Sequence, residues 1–367
     1  MKTLILTCNT GQGHNSSASA IMNVYSQNSD VCETADALSF LSKQASKIVD
    51  ICFTGIYRHI PKAFDSMYSH SDTEAHPINA MDSAIQLLKL GCKKLYKYIT
   101  DEGFDSIICV HLFPAIMISW LKEKYDLPCK TALLTTDYTC YPFTAKTDMD
   151  LYFLPHKDLR DEFLKIVKSD DKLAYTGIPI KEDFFALPDK ALAKIKLGLK
   201  EDEKVVFVMG GSMGCGPMED LVCRIRESID EGVHLLVSCG TNKTLLKALE
   251  KKALHNTEVF SFSDNVPTIM AAADLFVTKP GGISSTEASV SGLPTIVMNV
   301  IGACETPNYN FFVDHNYFYG ATTIDDVCNF CSTLLKDDNE LKAQSKKLKE
   351  AFNHNAAADI YKAMGEN

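Results

Sequence analysis

The sequence has no apolar run of the length that crosses a membrane, for which about 20 consecutive apolar residues are needed. The apolar stretch at its start, residues 4–6, is also far too short for the apolar part of a secretory signal, and it runs into a glycine-rich turn. These absences argue against a membrane-spanning or secreted protein. We expect a cytoplasmic protein that is soluble or lies on a membrane surface.

The 13 cysteines form no disulfide or metal-binding pattern. Cys328 and Cys331 alone are spaced as C-x-x-C, with neither a second pair nor a flanking histidine, which argues against a zinc site. Others, such as Cys8, Cys109 and Cys239, stand in apolar runs, as small buried residues do. An odd number of thiols without a signal sequence indicates a reducing compartment, the cytosol.

Basic stretches are absent as well. The chain has 37 Lys and Arg against 47 Asp and Glu, which gives a net charge of −10. Because nucleic-acid binding depends on basic residues that neutralise phosphates, we expect no nucleic-acid partner. Binding to an anionic membrane would require a local patch of basic residues.

The 367 residues, 46% apolar and 23% charged, suffice for two domains with full cores. Short apolar runs bounded by Gly and Pro alternate with helical patterns, which is typical of a parallel α/β sheet. Twice, at residues 3–14 and 205–217, a predicted strand leads through a glycine turn into a helix. Mononucleotide folds bind anions in this way, so the sequence predicts a pair of such folds.

Residues 274–310 hold the densest set of candidate ligand-binding groups. The pattern predicts buried strands at 275–278 and 295–300, with a short helix between them. Gly281 and Gly282 have no side chain, so a ligand can lie against the backbone there. The N-terminus of the helix that follows favours a phosphate at the same place.

The acidic and amide residues of this stretch suit a sugar nucleotide. Glu287 can accept two hydrogen bonds from a ribose diol, and Glu305 and Asn308 suit sugar hydroxyls. Two alternatives stay open on these residues alone. Residues 284–287 also read as a capping box, in which Glu287 only satisfies the helix N-terminus. Glu305 alone also reads as a solvated loop acid.

TKPGGISSTEASVSGLPTIV followed by GACETPN resembles the donor-binding half of glycosyltransferase family 28. The resemblance is strongest to the branch of the monogalactosyldiacylglycerol synthases and processive diacylglycerol glucosyltransferases. It implies an α/β GT-B fold, in which two Rossmann-like domains face across a cleft. It also implies an inverting enzyme that moves a hexose from a UDP-sugar to a lipid, most often diacylglycerol, and forms a β-glycoside.

The chain departs from the family pattern in two places. Gly302, Ala303 and Cys304 stand where the family commonly has Pro-Gly-Gln, which removes an amide that would contact the donor sugar. Tyr141 stands where the acceptor-facing segment of the family has a histidine, and no tryptophan follows Pro142.

The resemblance also implies the domain organisation. Residues 1–178 would form an N-terminal domain that binds the acceptor and the membrane, and residues 189–338 a UDP-sugar-binding domain. Residues 339–367 would form a C-terminal helix that packs back on the first domain. The aromatic and basic segment 56–68 is predicted to meet the inner face of the cell membrane, whereas helical patterns at 45–56 and 81–96 are mainly structural.

By the same resemblance His14 is the general base, since an imidazole with a pKa near 6.5 can take a proton from the attacking hydroxyl. The alternative is a turn histidine that caps the helix. Asp137, after a predicted strand, would orient a hydroxyl or support His14. Gly11, Gly13 and Tyr141 would line the acceptor side.

The predicted donor site contains residues from five segments of the second domain. They are Gly211, Ser212, Gly214, Gly240, Asn242, Phe262, Gly281, Gly282, Ile283, Ser284, Glu287, Glu305 and Asn308. The UDP-sugar is a co-substrate, and we expect no cofactor. Asp148 and Asp150 spell the D-x-D of metal-dependent glycosyltransferases of another fold, but we interpret them as a loop and predict no catalytic metal.

Three other functions remain compatible with the sequence. The first is transfer of N-acetylglucosamine to a polyprenyl-linked peptidoglycan precursor. The second is a UDP-sugar-binding sensor without transfer activity. The third, a nucleotide-sugar epimerase on the same fold, would form product without a lipid acceptor.

Overall fold

A computed structural model describes residues 1–8, 12–45, 76–214, 216–298 and 305–365, with the backbone alone for residues 12, 76–84 and 142. The chain divides into two compact units. The first comprises Met1–Lys181 and Asn355–Asn367, and the second Glu182–Ile301 and Glu305–His354. The chain thus enters the second unit after Lys181, between the predicted domains 1–178 and 189–338.

The first unit alternates strands and helices, as the apolar runs predict. Its elements in chain order are β1 (Lys2–Thr7), α1 (Gln12–Gln27), β2 (Val31–Asp36), α2 (His76–Glu102), β3 (Ser106–Cys109), α3 (Leu112–Lys124), β4 (Lys130–Leu134), β5 (Leu151–Phe153), α4 (Arg160–Val167) and β6 (Leu173–Ala174).

These strands form one parallel sheet in the order β2-β1-β3-β4-β5-β6. Residues such as Ile5 and Ile108 are completely buried, because a parallel sheet is covered on both faces. The strand order reverses between β1 and β3, where Leu6 lies opposite Cys109. In open α/β sheets ligands bind at such a switch point, beyond the carboxyl ends of the strands.

The second unit repeats this alternation. Its elements are α5 (Lys190–Lys196), β7 (Val205–Met209), α6 (Met218–Ser228), β8 (His234–Ser238), α7 (Lys243–Lys252), β9 (Thr257–Phe260), α8 (Val266–Ala272), β10 (Leu275–Thr278), α9 (Gly282–Ser291), β11 (Thr295–Met298), α10 (Thr306–Asp314), β12 (Tyr319–Ala321), α11 (Ile324–Leu334) and α12 (Asp338–Ala351).

The second sheet is also parallel, in the order β12-β11-β10-β7-β8-β9. Its apolar strands bury Val208, Val237 and Val277 in a single core. The switch point lies between β7 and β10, which end level: Thr278 pairs with Met209 and donates a hydrogen bond of 2.8 Å from its hydroxyl to the Met209 carbonyl. Groups that follow these two strands therefore emerge side by side.

Several predicted elements are confirmed. β10 covers residues 275–278, the short helix α9 begins at Gly282, and the helical pattern at 81–96 lies within α2. β11 begins at Thr295 as predicted, and its predicted end at 300 lies outside the described residues, as do Gly302, Ala303 and Cys304. The segment 56–68 and nearly all of the helical pattern at 45–56 also lie outside them.

The prediction of one C-terminal helix is wrong. The structure has two, α12 and α13 (Ala356–Gly365), separated by a break at residues 352–355. Buried Phe352 ends α12, which stays with the second unit, whereas α13 belongs to the first. Ile360 of α13 is in the core of the first unit, and the hydroxyl of Tyr361 donates to Asp30 at 2.8 Å. The charged composition of residues 339–364 hides this break.

Among the helices within the described ranges, none combines the length and the apolar composition that a bilayer span requires.

Candidate active site

A cluster with two histidines lies at the switch point of the first sheet. His14 is the third residue of α1, the helix after β1. Its Nδ1 is 3.1 Å from the hydroxyl oxygen of Thr136, which follows β4. The ring of His111, which follows β3, meets the ring of His14 edge-on, with centroids 4.9 Å apart and planes at 86°. Three adjacent strands thus deliver the residues around the predicted base.

His111 is a residue to which no sequence pattern gave a role. It is the N-cap of α3, and its Nδ1 accepts a hydrogen bond of 3.1 Å from the Phe113 backbone N–H. An accepting Nδ1 places the proton of the neutral ring on Nε2. Burial, and then the neighbouring His14, hold the pKa of His111 well below the ordinary histidine value. His111 is therefore a neutral ring next to the predicted base.

The environment of His14 keeps it neutral at pH 7. Burial lowers its pKa below 6.5, while the carboxylate of Asp137 and then the carbonyl of Val110 act in the opposite direction. A neutral imidazole can accept a proton, and a nearby carboxylate stabilises the imidazolium that results. Asp137 therefore lies close enough to His14 to affect its charge.

The alternative that His14 caps its helix is wrong, because α1 begins at Gln12 and His14 lies inside the helix. Gly13 belongs to the same first turn, and Gly11 lies outside the described residues. Tyr141 is partly buried and precedes a short 3₁₀ turn, Pro142–Lys146. Its assignment to the acceptor side stays a prediction.

The two aspartates of the D-x-D tripeptide are engaged with lysines. Asp148 forms a 2.8 Å ion pair with Lys172, and Asp150 one of the same length with Lys122. Asp150 also accepts hydrogen bonds of 2.8 Å from the backbone and hydroxyl of Thr131. These contacts fix a loop before β5, as interpreted from the sequence. No group of three or more His, Cys, Asp and Glu residues suited to a metal occurs in the described part of the chain.

In the second unit, the turns after β7 and β8 pack backbone against backbone. Gly240, with φ +55°, lies so close to Ser212 that a Cβ would overlap the Ser212 carbonyl. The Thr241 N–H donates to that carbonyl at 2.9 Å. In the first of these turns, the Gly214 N–H donates to the Gly211 carbonyl at 3.1 Å. The predicted glycine positions therefore form one compact, backbone-lined surface.

Asn242 has a structural task in this surface. Its Oδ1 accepts from the Leu245 N–H at 3.0 Å and caps α7, while its Nδ2 donates to the Gly214 carbonyl at 3.1 Å. The Asn242 side chain thus holds the glycine turn in place. Its assignment to the donor stays a prediction.

The N-terminus of α9 lies at the neighbouring strand end. Gly281 is its N-cap, no side chain caps the helix, and the Ser284 hydroxyl donates to the Gly281 carbonyl at 3.3 Å. Gly282 is buried and Ile283 partly buried in the same turn. A helix N-terminus with no capping side chain leaves backbone N–H groups for an anion.

The capping-box alternative for Glu287 is wrong. That motif needs Ser284 at the N-cap and Glu287 at the third helical position. The N-cap is Gly281, so Ser284 itself occupies the third position and Glu287 lies almost one turn further on. Glu287 is partly buried. Its assignment to the ribose stays a prediction.

Phe262 presents an aromatic face beside the glycine turns. Its side chain is 54% exposed, although it is large and apolar. Its backbone N–H donates to the Gly240 carbonyl at 2.9 Å, which fixes the position of its loop. An exposed ring on an anchored backbone suits stacking against a planar base.

Glu305 lies at the start of α10 and is only 5% exposed, so the solvated-acid alternative is wrong. Its carboxylate forms an ion pair with the ammonium of Lys279, the residue after β10. Asn308, in the first turn of α10, is completely buried. Lys279 was missed from the sequence. The available signal was a basic residue directly after a strand that borders the switch point.

Two family models match the chain, and together they span most of it. The model for monogalactosyldiacylglycerol (MGDG) synthase matches residues 14–180, and the model for the glycosyltransferase family 28 C-terminal domain matches residues 205–362. The chain belongs to glycosyltransferase family 28. His14 and Asp137 fall in the first match, and the predicted donor-binding residues fall in the second.

The curated relatives of this family 28 glycosyltransferase match over nearly the full length. A processive diacylglycerol beta-glucosyltransferase of Bacillus pumilus (strain SAFR-032) is 26% identical, over 95% of this chain and 90% of the relative. One of Bacillus subtilis (strain 168) is 25% identical, over 98% of this chain and 93% of the relative.

Solved structures confirm the predicted GT-B fold of the glycosyltransferase. MurG of Acinetobacter baumannii superposes with a TM-score of 0.63 at 15% identity, covering 99% of both chains. The UDP-GlcNAc 2-epimerase of Neisseria meningitidis superposes with a TM-score of 0.64 at 12% identity, covering 100% of both. At these identities the similarity concerns the fold alone.

Proposed function

We propose that this family 28 glycosyltransferase transfers a hexose from a UDP-sugar to the free hydroxyl of diacylglycerol, with inversion at the anomeric carbon. The observation that carries this proposal is the near full-length similarity to processive diacylglycerol beta-glucosyltransferases. The geometry of the two switch points supports it, because each supplies a different part of the required chemistry.

In the reaction, the acceptor oxygen forms a bond to the anomeric carbon while the bond from that carbon to the UDP oxygen breaks. The proton of the acceptor hydroxyl goes to the imidazole of His14. Burial holds His14 neutral and so ready to accept this proton. The carboxylate of Asp137 then stabilises the imidazolium.

The departing UDP takes the electron pair of the broken bond, so negative charge grows on its diphosphate. Backbone N–H groups at the N-terminus of α9 and in the turn at Gly211–Gly214 are suited to stabilise that charge. Phe262 would stack on the uracil, Glu287 would bind the ribose, and Glu305 and Asn308 would bind the hexose. No metal is needed, since the protein itself supplies this stabilisation.

A lipid acceptor requires contact with a bilayer, and α2 supports peripheral binding at the inner face of the cell membrane. Its exposed residues include Lys93, Lys94 and Lys97, together with Leu90, whose side chain is 67% exposed. Lysines around an exposed apolar residue suit an anionic membrane surface. This local patch is basic although the net charge of the whole chain is −10. Because of that negative net charge, we expect no nucleic-acid partner.

The test is radiolabel transfer from UDP-glucose, UDP-galactose or UDP-N-acetylglucosamine to vesicles that contain diacylglycerol, with and without EDTA. Matched vesicles without diacylglycerol are the control. We expect chloroform-soluble label from a UDP-hexose only when diacylglycerol is present, and no loss of label in EDTA. Loss in EDTA would contradict the metal-free mechanism.

The alternatives give different results in the same assay. UDP-sugar binding without any labelled product would support a sensor. Label transferred only from UDP-N-acetylglucosamine, and only to an added polyprenyl-linked acceptor, would support the peptidoglycan branch. A changed sugar nucleotide in the absence of lipid would support an epimerase.

A further inference from the structure

The ammonium of Lys279 lies among the groups that we propose to bind the donor. Lys279 follows β10 and Gly211 closely follows β7, and these strands end level at the switch point. The stem of Lys279 passes directly over Gly211: a Cβ there would overlap Cε and would lie 3.5 Å from Nζ. Nζ is also 3.9 Å from the Cβ position of Gly281, the N-cap of α9.

The ammonium of Lys279 forms an ion pair with a residue that is itself a proposed donor ligand. Lys279 pairs with Glu305, and the two side chains are only 13% and 7% exposed. Taking two such charges out of water costs about as much as their attraction returns, so a buried pair contributes little to stability. The ammonium and the carboxylate are thus kept buried with little net effect on the free energy of folding, next to the N-terminus of α9, which no side chain caps.

We propose that Lys279 binds the diphosphate of the UDP-sugar, and that Glu305 is its partner only until the donor arrives. The diphosphate then replaces the Glu305 carboxylate at the ammonium. The released carboxylate accepts hydrogen bonds from hexose hydroxyls. This assignment rests on the proposed function for its sugar half, whereas its diphosphate half concerns UDP binding alone.

The exchange has a measurable consequence, because Glu305 competes with the diphosphate for one ammonium. Removing the charge of Glu305 strengthens the binding of UDP, because UDP has no hexose hydroxyls that could donate hydrogen bonds to the released carboxylate. Removing Lys279 weakens UDP but leaves uridine unchanged, because uridine has no diphosphate. In a variant without Lys279, the charge of Glu305 no longer affects UDP affinity through this lysine.

The experiment is calorimetric binding of UDP, uridine and UDP-glucose to the full chain and to Lys279→Met, Glu305→Gln and the double variant. We expect Lys279→Met to weaken UDP about 10- to 100-fold, as for a lost charge-assisted hydrogen bond, and to leave uridine within about twofold. Glu305→Gln should strengthen UDP several-fold while it weakens UDP-glucose relative to UDP. Lys251→Met, on the exposed end of α7, is the matched control and should bind UDP like the wild type.

A lone buried carboxylate could unfold Lys279→Met, so the double variant, which replaces both charges, is the folded reference, checked by circular dichroism. The double variant should bind UDP about 10- to 100-fold more weakly than Glu305→Gln does. Equal UDP affinity in these two variants would overturn the assignment of Lys279. If the wild type binds neither UDP nor UDP-glucose, the proposed function itself fails. If UDP affinity is unaffected by Lys279 but transfer to diacylglycerol is measured, the function stands without this lysine.

Discussion

In both units a helix follows the first strand of the sheet, but the side chains gathered at the two switch points differ. The first has His14, His111 and the carboxylate of Asp137. The second has a glycine turn, an uncapped helix and the Lys279–Glu305 pair. Under the proposed function, the same position of the fold would serve proton transfer in one unit and anion binding in the other.

The difference follows from the charge that each task requires. A base must be neutral before it acts, so burial and a neutral neighbouring ring suit His14. A fixed cation there would not stabilise the imidazolium that forms. A diphosphate needs positive charge and backbone N–H groups, which Lys279 and the N-terminus of α9 offer. The predictions below test whether the two tasks are really separate.

The largest effect is expected at the first switch point. His14→Ala should lower kcat for transfer to diacylglycerol about 10²- to 10⁴-fold, because the general base is lost, with UDP affinity nearly unchanged. Steady-state kinetics and calorimetry measure the two quantities. His255→Ala, at an exposed position of the second unit, is the control. A parallel loss of UDP affinity would show that His14 holds the donor or the fold.

At the second switch point the expected effect is smaller and falls on binding. Phe262→Ala should weaken UDP and uridine together, about 5- to 100-fold, because the stacking surface for the base is removed. Phe262→Tyr keeps a ring and should bind like the wild type. This pattern differs from that of Lys279→Met, which spares uridine. If Phe262→Ala binds uridine normally, the base is held elsewhere.

The smallest effect is a change in pH dependence. The base acts only when neutral, so kcat/KM should be full above the pKa of His14 and fall as the pH drops through it, below 6.5. His111→Asn keeps a capping acceptor for the Phe113 N–H but removes a ring that covers His14. The acid limb should then move up, by less than about one pH unit.

Asp137→Asn should move the same limb the other way, because the carboxylate of Asp137 raises the pKa of His14. Profiles of kcat/KM measured from pH 4.5 to 8 distinguish the two shifts, a range set around the ordinary histidine pKa of about 6.5. Unmoved limbs in both variants would mean that a group other than His14 titrates.

The sequence alone was sufficient to predict the elements that follow a repeated local pattern. Apolar runs between glycines predicted the parallel strands, and the glycine turns before α1, α6 and α9 predicted both switch points. The capping box at residues 284–287 misled because Ser and Glu at the right spacing resemble the motif wherever the helix begins. Only the structure shows that α9 starts at Gly282.

His111 and Lys279 escaped prediction for another reason. Each is a single polar residue after a buried strand, and one residue has no period or spacing to detect. Their importance comes from strand register: Cys109 lies opposite Leu6, and Thr278 opposite Met209. That register brings His111 to His14 and Lys279 to Gly211, across about a hundred and about seventy residues of chain respectively.

The passage of the Lys279 stem over Gly211 couples two distant positions in the evolution of the family. A side chain at position 211 would overlap the Cε of that stem, and the φ of +73° there strains any residue other than glycine whatever the space. Related chains that carry Lys at the position of 279 should therefore carry Gly at the position of 211. The two residues together then form a sequence signature of a lysine that lies over this turn.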